Sequence, residues 1–269
     1  GILKNYGEMK NTYIKKYYQN NFTKYHKVIV AIHGFAGNKN SNTLHFLSPY
    51  FEQYKYALLS FDLHGHGINE TGTTPDIEIA RHDFPNLPLC LYATSFGTYI
   101  ALLYLMEIMC DFDTIILRAP AINPIKPLTQ IFAGKPLPVN YKGVYVSTKF
   151  FKDIKSHPVI PKKINQKNIY VIISKCEAED FLKSSKPVLE TMSARYYELS
   201  LTSSKATGYT EEVILSDFFI NLLNSLSVSL SPVKSIILNL FKFIYIYLYF
   251  VFFSGDGGSS HYLQGTSGS

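Results

Sequence analysis

Residues 89–97 read Leu89-Cys90-Leu91-Tyr92-Ala93-Thr94-Ser95-Phe96-Gly97, and they decide the fold. An apolar run with strand character ends in small-x-Ser-x-Gly, and an apolar helical run to about Met109 follows at once. A serine on so sharp a strand-turn-helix needs small residues two before and two after it, because larger side chains there would collide. Ala93 and Gly97 meet that need. The stretch therefore predicts a buried strand, a tight turn carrying Ser95 and a helix, with Ser95 as a candidate nucleophile.

Two earlier runs give this pentapeptide its context. Val28 to His33 is continuously apolar and leads into Ile32-His33-Gly34-Phe35-Ala36-Gly37. Tyr56 to Phe61 is a second apolar run, ending at Asp62-Leu63-His64-Gly65-His66-Gly67. A backbone N–H just after His-Gly, paired with the N–H following the serine, can hold the oxyanion of a tetrahedral intermediate. That nominates the amides of Phe35 and Phe96. His64 and His66 suggest a metal site, but no second ligand cluster of suitable spacing accompanies them, so a metal is not expected.

Further strands are predicted at Thr114 to Leu117, Ile169 to Ser174 and Tyr196 to Leu199, with helices near 42–54, 183–192 and 211–225. Continuous apolar strands separated by helices mean a parallel sheet covered on both faces, an α/β doubly wound architecture. Before the Ser95 strand only residues 76–83 are available for a crossover helix, which is short for covering a sheet. From 119 to 166 the alternation is lost and prolines break any long helix, so this stretch reads as an irregular cap insertion at the carboxyl end of a strand. The predicted organisation is a basic segment 1–23, one domain 24–225 containing the cap, an apolar segment 226–253 and a Gly/Ser-rich tail 254–269.

Composition sets the outer limits. At about 150 residues per domain, 269 residues suit one large domain or two small ones. With 46% hydrophobic and 15% aromatic residues, wholesale disorder is excluded. Lys+Arg exceed Asp+Glu by six, most densely before residue 30, and without the motif of a binding module this reads as a solvated face and not a nucleic-acid site. Cys90, Cys110 and Cys176 are odd in number and widely spaced, which points to a reducing compartment; with no apolar h-region near Gly1, the expected location is cytoplasmic. Ser235 to Phe253 spans 19 residues with only Asn239 and Lys242 strongly polar. As a helix it would rise about 28 Å, close to one hydrocarbon core, and predicts membrane association through a C-terminal anchor. The competing readings are a buried segment or translated sequence beyond a frame disruption.

The wording His-Gly-Phe-Ala-Gly-Asn-Lys, Phe-Asp-Leu-His-Gly-His-Gly, Ala-Thr-Ser-Phe-Gly and then Leu117-Arg118-Ala119-Pro120-Ala121 resembles the bacterial esterase, lipase and acyl-peptidase-like members of the α/β-hydrolase superfamily, over about residues 24–225. The resemblance implies Ser95 as nucleophile, an acyl-enzyme, a small-molecule acyl ester substrate and no cofactor. The rest of the triad departs from the pattern. The acid turn after Ile169 to Ser174 reads Lys175-Cys176-Glu177-Ala178-Glu179-Asp180, with Ala178 at the acid position. Glu177, Glu179 or Asp180 can serve after a shift of one or two residues, with Glu179 and Asp180 favoured equally. After Tyr196 to Leu199 the base position falls on Thr207, which has no group titrating near neutral pH, and the only later histidine is His261 in the tail. The sequence thus leaves two readings: an active ester hydrolase, or an impaired one that binds a small apolar ligand or a partner.

Overall fold

Strand side chains alternate between the two faces of a sheet, so a strand apolar at every position must be covered on both. A computed structural model describes residues 14–19, 21–63, 65–67, 83–107, 112–164, 168–174 and 179–199, and its central strands behave in this way. Strands β2 (Lys27–Ile32) and β3 (Tyr56–Phe61) are buried throughout, and β4 (Leu89–Thr94) is buried up to its last residue. Val28, Val30, Ile32, Leu91 and Ala93 face one core; Ile29, Ala31, Leu58, Cys90 and Tyr92 face the other.

The second core is closed by α1 (Asn42–Gln53), whose Leu44, Leu47 and Phe51 are buried. Each such side chain contributes at most about 1.5–3 kcal/mol relative to exposure. The Ser41 hydroxyl starts the helix by accepting the Leu44 N–H at 3.2 Å. The first core is closed by α2 (Phe96–Glu107), which directly follows β4 and is buried along Ile100 to Leu105.

Among the described residues the main sheet has seven strands in the order β1-β3-β2-β4-β5-β8-β9, where β1 is Ile14–Lys16, β5 Thr114–Arg118, β8 Ile169–Ser174 and β9 Arg195–Leu199. Only β1 runs antiparallel, against β3. The chain runs from β2 outward to β3 and then returns across β2 to β4. That reversal opens a crevice beyond the carboxyl ends of β2 and β4, where open α/β sheets bind ligands. The ends facing it carry Gly34-Phe35 and Ser95.

The boundaries of β2 to β5, β8 and β9 fall within two residues of the sequence expectation, whereas β1 is a strand the sequence did not suggest and ties residues 14–16 of the basic segment to the sheet. Helix α5 (Glu179–Glu190) begins four residues earlier than expected, so Glu179 and Asp180 lie in its first turn. Acidic residues suit that position beside the positive end of a helix dipole. The segment between β5 and β8 is more regular than its prolines suggested. It holds α3 (Ile125–Ile131), a hairpin of β6 (Val139–Tyr141) and β7 (Val144–Val146), and α4 (Thr148–Ser156). Pro124 and Pro127 fall at the cap and third residue of α3, where N–H groups lack intrahelical acceptors and a proline costs no bond. Pro158 follows the end of α4. Apart from Asp83, the predicted crossover helix 76–83 lies outside the described residues, as do the helix near 211–225, the apolar segment 226–253 and the tail. Among the described residues no helix is long and apolar enough to cross a membrane.

Candidate active site

Ser95 is the single residue between β4 and α2, exposed, with φ of 51°. A non-glycine residue in the left-handed region costs about 1–3 kcal/mol and persists only when its surroundings over-determine it. Here they do. The Ser95 N–H donates to Arg118 O at 3.0 Å, and Ser95 O accepts from Thr98 N at 2.9 Å and from Ala121 N at 3.3 Å. The segment after β5 thereby fixes the serine backbone from both sides, while Ser185 Oγ donates to Pro120 O at 2.9 Å and ties that segment to α5.

Two glycines permit the approach of β2 to this turn. A methyl group on Gly97 would lie 2.4 Å from His33 O and 2.8 Å from Ile32 O, so α2 can start against β2 only with glycine there. A methyl group on Gly34 would lie 3.1 Å from Ser95 Cβ and 3.7 Å from its Oγ, so the end of β2 stands beside the serine hydroxyl. Gly34 to Gly37 forms a turn closed by Gly37 N–H to Gly34 O at 3.0 Å, with Ala36 at φ of 57°. In such a turn only the fourth N–H bonds back, which leaves the Phe35 amide outside the closing bond. Phe96 is the first residue of α2, and its N–H likewise has no intrahelical acceptor.

The turn is braced from below. His33 is buried; its Nδ1 bonds Gly34 O at 2.8 Å, and its Nε2 accepts the Leu63 N–H at 3.0 Å. This pairing assigns the neutral Nδ1–H tautomer. Burial, as the largest influence, pushes the imidazole below its ordinary pKa. With both nitrogens committed, His33 holds the end of β2 to the end of β3 and is not a base for Ser95. Asp62 is fully buried and takes two contacts from Lys39, N–H to Oδ1 at 2.6 Å and Nζ to Oδ2 at 2.9 Å. Gly67, at φ of 56°, lets the following loop wrap the carboxylate, because a methyl there would be 2.4 Å from Asp62 Cγ. Tyr17 donates to Lys39 O at 2.7 Å; burial first, and the Asp62 charge second, push its phenol up to about 12.

An aromatic wall faces this turn. The Phe35 ring lies 5.8 Å from Phe96, 5.9 Å from Phe150, 6.1 Å from Phe132 and 5.8 Å from His66. Tyr99 in α2 donates to His157 O at 2.8 Å and holds the end of α4 over the sheet. Between α3 and α4 lies an open apolar groove of about 340 Å³, lined by Thr129, Phe132, Ala133, Leu137, Thr148 and Phe151.

The geometry thus brings together Ser95 and the backbone of Phe35 and Phe96. The side chains of Glu179 and Asp180, and residues Glu177, Ala178, Thr207 and His261, lie outside the described residues. Sequence reasoning noted Asp62 as a strand end but missed its pairing with Lys39. The available signal was an aspartate closing a buried strand before a glycine-rich turn.

The family model described as serine aminopeptidase, S33, a hydrolase family, matches residues 23–198. The chain belongs to this α/β-hydrolase family. Solved structures share the fold. Mouse alpha/beta hydrolase domain-containing protein 10 is 15% identical with a TM-score of 0.56, over 80% of this chain and 94% of that one. Est1E from Butyrivibrio proteoclasticus, with ferulic acid bound, is 13% identical with a TM-score of 0.55, over 79% and 96%. A soluble variant of monoglyceride lipase from Saccharomyces cerevisiae is 15% identical with a TM-score of 0.51, over 80% and 92%. At these identities the likeness is one of fold. No curated protein sequence matches the chain.

Proposed function

We propose that this S33-family chain hydrolyses a carboxylic ester or related acyl bond through an acyl-enzyme on Ser95. The observation that carries the reading is the strained, exposed Ser95 held against Gly34, the residue that precedes Phe35. Ser95 Oγ attacks the carbonyl carbon, and the Phe35 and Phe96 amides take the negative charge that develops on its oxygen. The alcohol leaves with a proton, and water then releases the acid and regenerates the serine. Glu179 or Asp180, after β8, is the acid that would orient a base. The half-buried Phe35 ring, backed by the buried rings of Phe96 and Phe150, offers an apolar surface to the acyl group. Est1E with its bound ferulic acid and the yeast monoglyceride lipase share the fold, and an ester substrate suits the same constellation.

A fluorophosphonate probe is expected to label the full chain at Ser95 and to leave Ser95→Ala unlabelled. An unlabelled protein whose circular dichroism shows an intact fold overturns the reading.

One feature favours a second reading, an impaired hydrolase that binds a small apolar ligand or a partner. Ala178 and Thr207 stand where the family pattern expects the acid and the base. A scaffold with an oxyanion site but no base still retains about 10³–10⁴-fold acceleration over water. Ester turnover well above that level, and lost in Ser95→Ala, rules this reading out.

A further inference from the structure

We propose that the face formed by α3, the β6–β7 hairpin and α4 docks on an anionic lipid bilayer. The longer of the chain's two basic stretches lies there. Residues 119–166 contain eight lysines, one aspartate and no other acidic residue, an excess larger than the six of the whole chain. The rest of the protein is therefore slightly acidic. The single aspartate, Asp153, is paired with Lys149 at 2.7 Å. Lys126, Lys135, Lys142, Lys152, Lys155, Lys162 and Lys163 are exposed.

The helical period sets several of these lysines around the apolar groove. On α4, Thr148 and Phe151 line the groove, and Lys152 and Lys155 continue the same stripe at i+4 and i+7. Phe150 and Ile154 occupy the buried side of that helix. On α3, Lys126 stands one turn before the lining residue Thr129. Lys135 follows the lining residues Phe132 and Ala133, and its Nζ lies 5.5 Å over the Phe132 ring and 5.1 Å over the Tyr141 ring. Lys142 also caps Tyr141, at 5.5 Å.

Apolar side chains are exposed among these cations. Of the four large hydrophobic residues that are exposed among the described ones, Ile131 and Tyr145 belong to this face, and Tyr145 is 56% exposed. Lysines interleaved with exposed aliphatic and aromatic side chains are what an interfacial surface requires: cations meet lipid phosphates and carboxylates while the apolar groups enter the headgroup boundary. A polynucleotide would be met by the cations alone and gives no role to the exposed Ile131.

The test is co-sedimentation of the full chain with phosphatidylserine-rich vesicles and with pure phosphatidylcholine vesicles, read as the ratio of the two affinities. The ratio cancels any charge-independent contribution from residues 235–253. We expect a preference for the anionic vesicles that high salt abolishes. The quadruple substitution of Lys126, Lys135, Lys152 and Lys155 by Gln should lower the preference by about 10²-fold or more, at roughly five-fold per lysine. The control K55Q/K183Q/K186Q should retain it, and so should Ser95→Ala, which separates this proposal from the catalytic one. Equal binding to both vesicles, no binding to either, or an unchanged preference in the folded quadruple variant overturns the proposal. So does tighter binding to single-stranded RNA than to anionic vesicles.

Discussion

Replacing Gly97 by Ala tests the geometry that sets Ser95. The added methyl would stand 2.4 Å from His33 O and 2.8 Å from Ile32 O. An ordinary close carbon-oxygen contact is about 3.3 Å, so the worse overlap approaches 1 Å. Both opposing atoms are backbone at the end of a buried strand and cannot swing aside. Relief has to come from the first turn of α2 moving away from β2, and Ser95 moves with it. The overpacking should cost about 1–3 kcal/mol, and a displacement near 1 Å can cost about 10²-fold in reactivity. Urea unfolding followed by circular dichroism reads the first quantity, and the rate of fluorophosphonate labelling at Ser95 reads the second. Gly34→Ala is the comparison. Its methyl meets nothing closer than Ser95 Cβ at 3.1 Å, so its stability loss should stay below about 1 kcal/mol. Labelling should still fall, because that methyl sits beside the hydroxyl. A Gly97→Ala protein as stable as the parent, or less affected than Gly34→Ala, refutes the reasoning, and the stability comparison stands whatever the reactivity of Ser95.

Lys39→Met leaves the fully buried Asp62 without its cation and should destabilise the protein by about 3–5 kcal/mol. Adding Asp62→Leu should recover part of that loss, and an unchanged urea midpoint in the single variant would show that the pair is not coupled to folding. His33 gives the pH dependence. Burial holds its folded pKa below the ordinary value, so on acidification the unfolded chain takes up the proton first. The contribution is present above about pH 6.5 and is lost as pH falls toward the folded pKa, by at most about 1.4 kcal/mol per pH unit. In His33→Asn the urea stability should be lower near neutrality and decline less on acidification; a parallel decline in both proteins would remove His33 from the account.

The parts of the fold that were legible are those governed by local rules. Strands β2 to β5 and β8 were readable because a strand covered on both faces must be apolar at every position, and Val28 to Ile32 or Ile169 to Ile173 leave no other economical arrangement. Ser95 was readable because its turn demands Ala93 and Gly97 within two residues. The elements between β5 and β8 were less so. Their prolines sit at helix starts and beyond helix ends, where they bound short helices and do not forbid them, and composition alone does not separate the two cases. The Lys39–Asp62 pair joins residues 23 apart across two loops, and no local periodicity encodes such a meeting.

The two halves of the site are held by different physics, and this explains why their legibility differs. Ser95 is kept in a strained conformation by backbone hydrogen bonds from β5 and the segment after it, which any sequence of this topology supplies. The Gly34–Gly37 turn is held by buried polar side chains, His33 on the Leu63 amide and Asp62 on Lys39. Such groups are costly to bury singly and favourable only when every partner is in place. Their satisfaction makes the turn rigid, and a rigid turn is what an oxyanion site requires, since donors that must reorganise during reaction lose their electrostatic advantage. Under the proposed ester hydrolysis, the buried Lys39–Asp62 pair acts more to fix the Phe35 amide than to add stability, because an apolar pair recovers part of the stability without constraining the direction of that N–H.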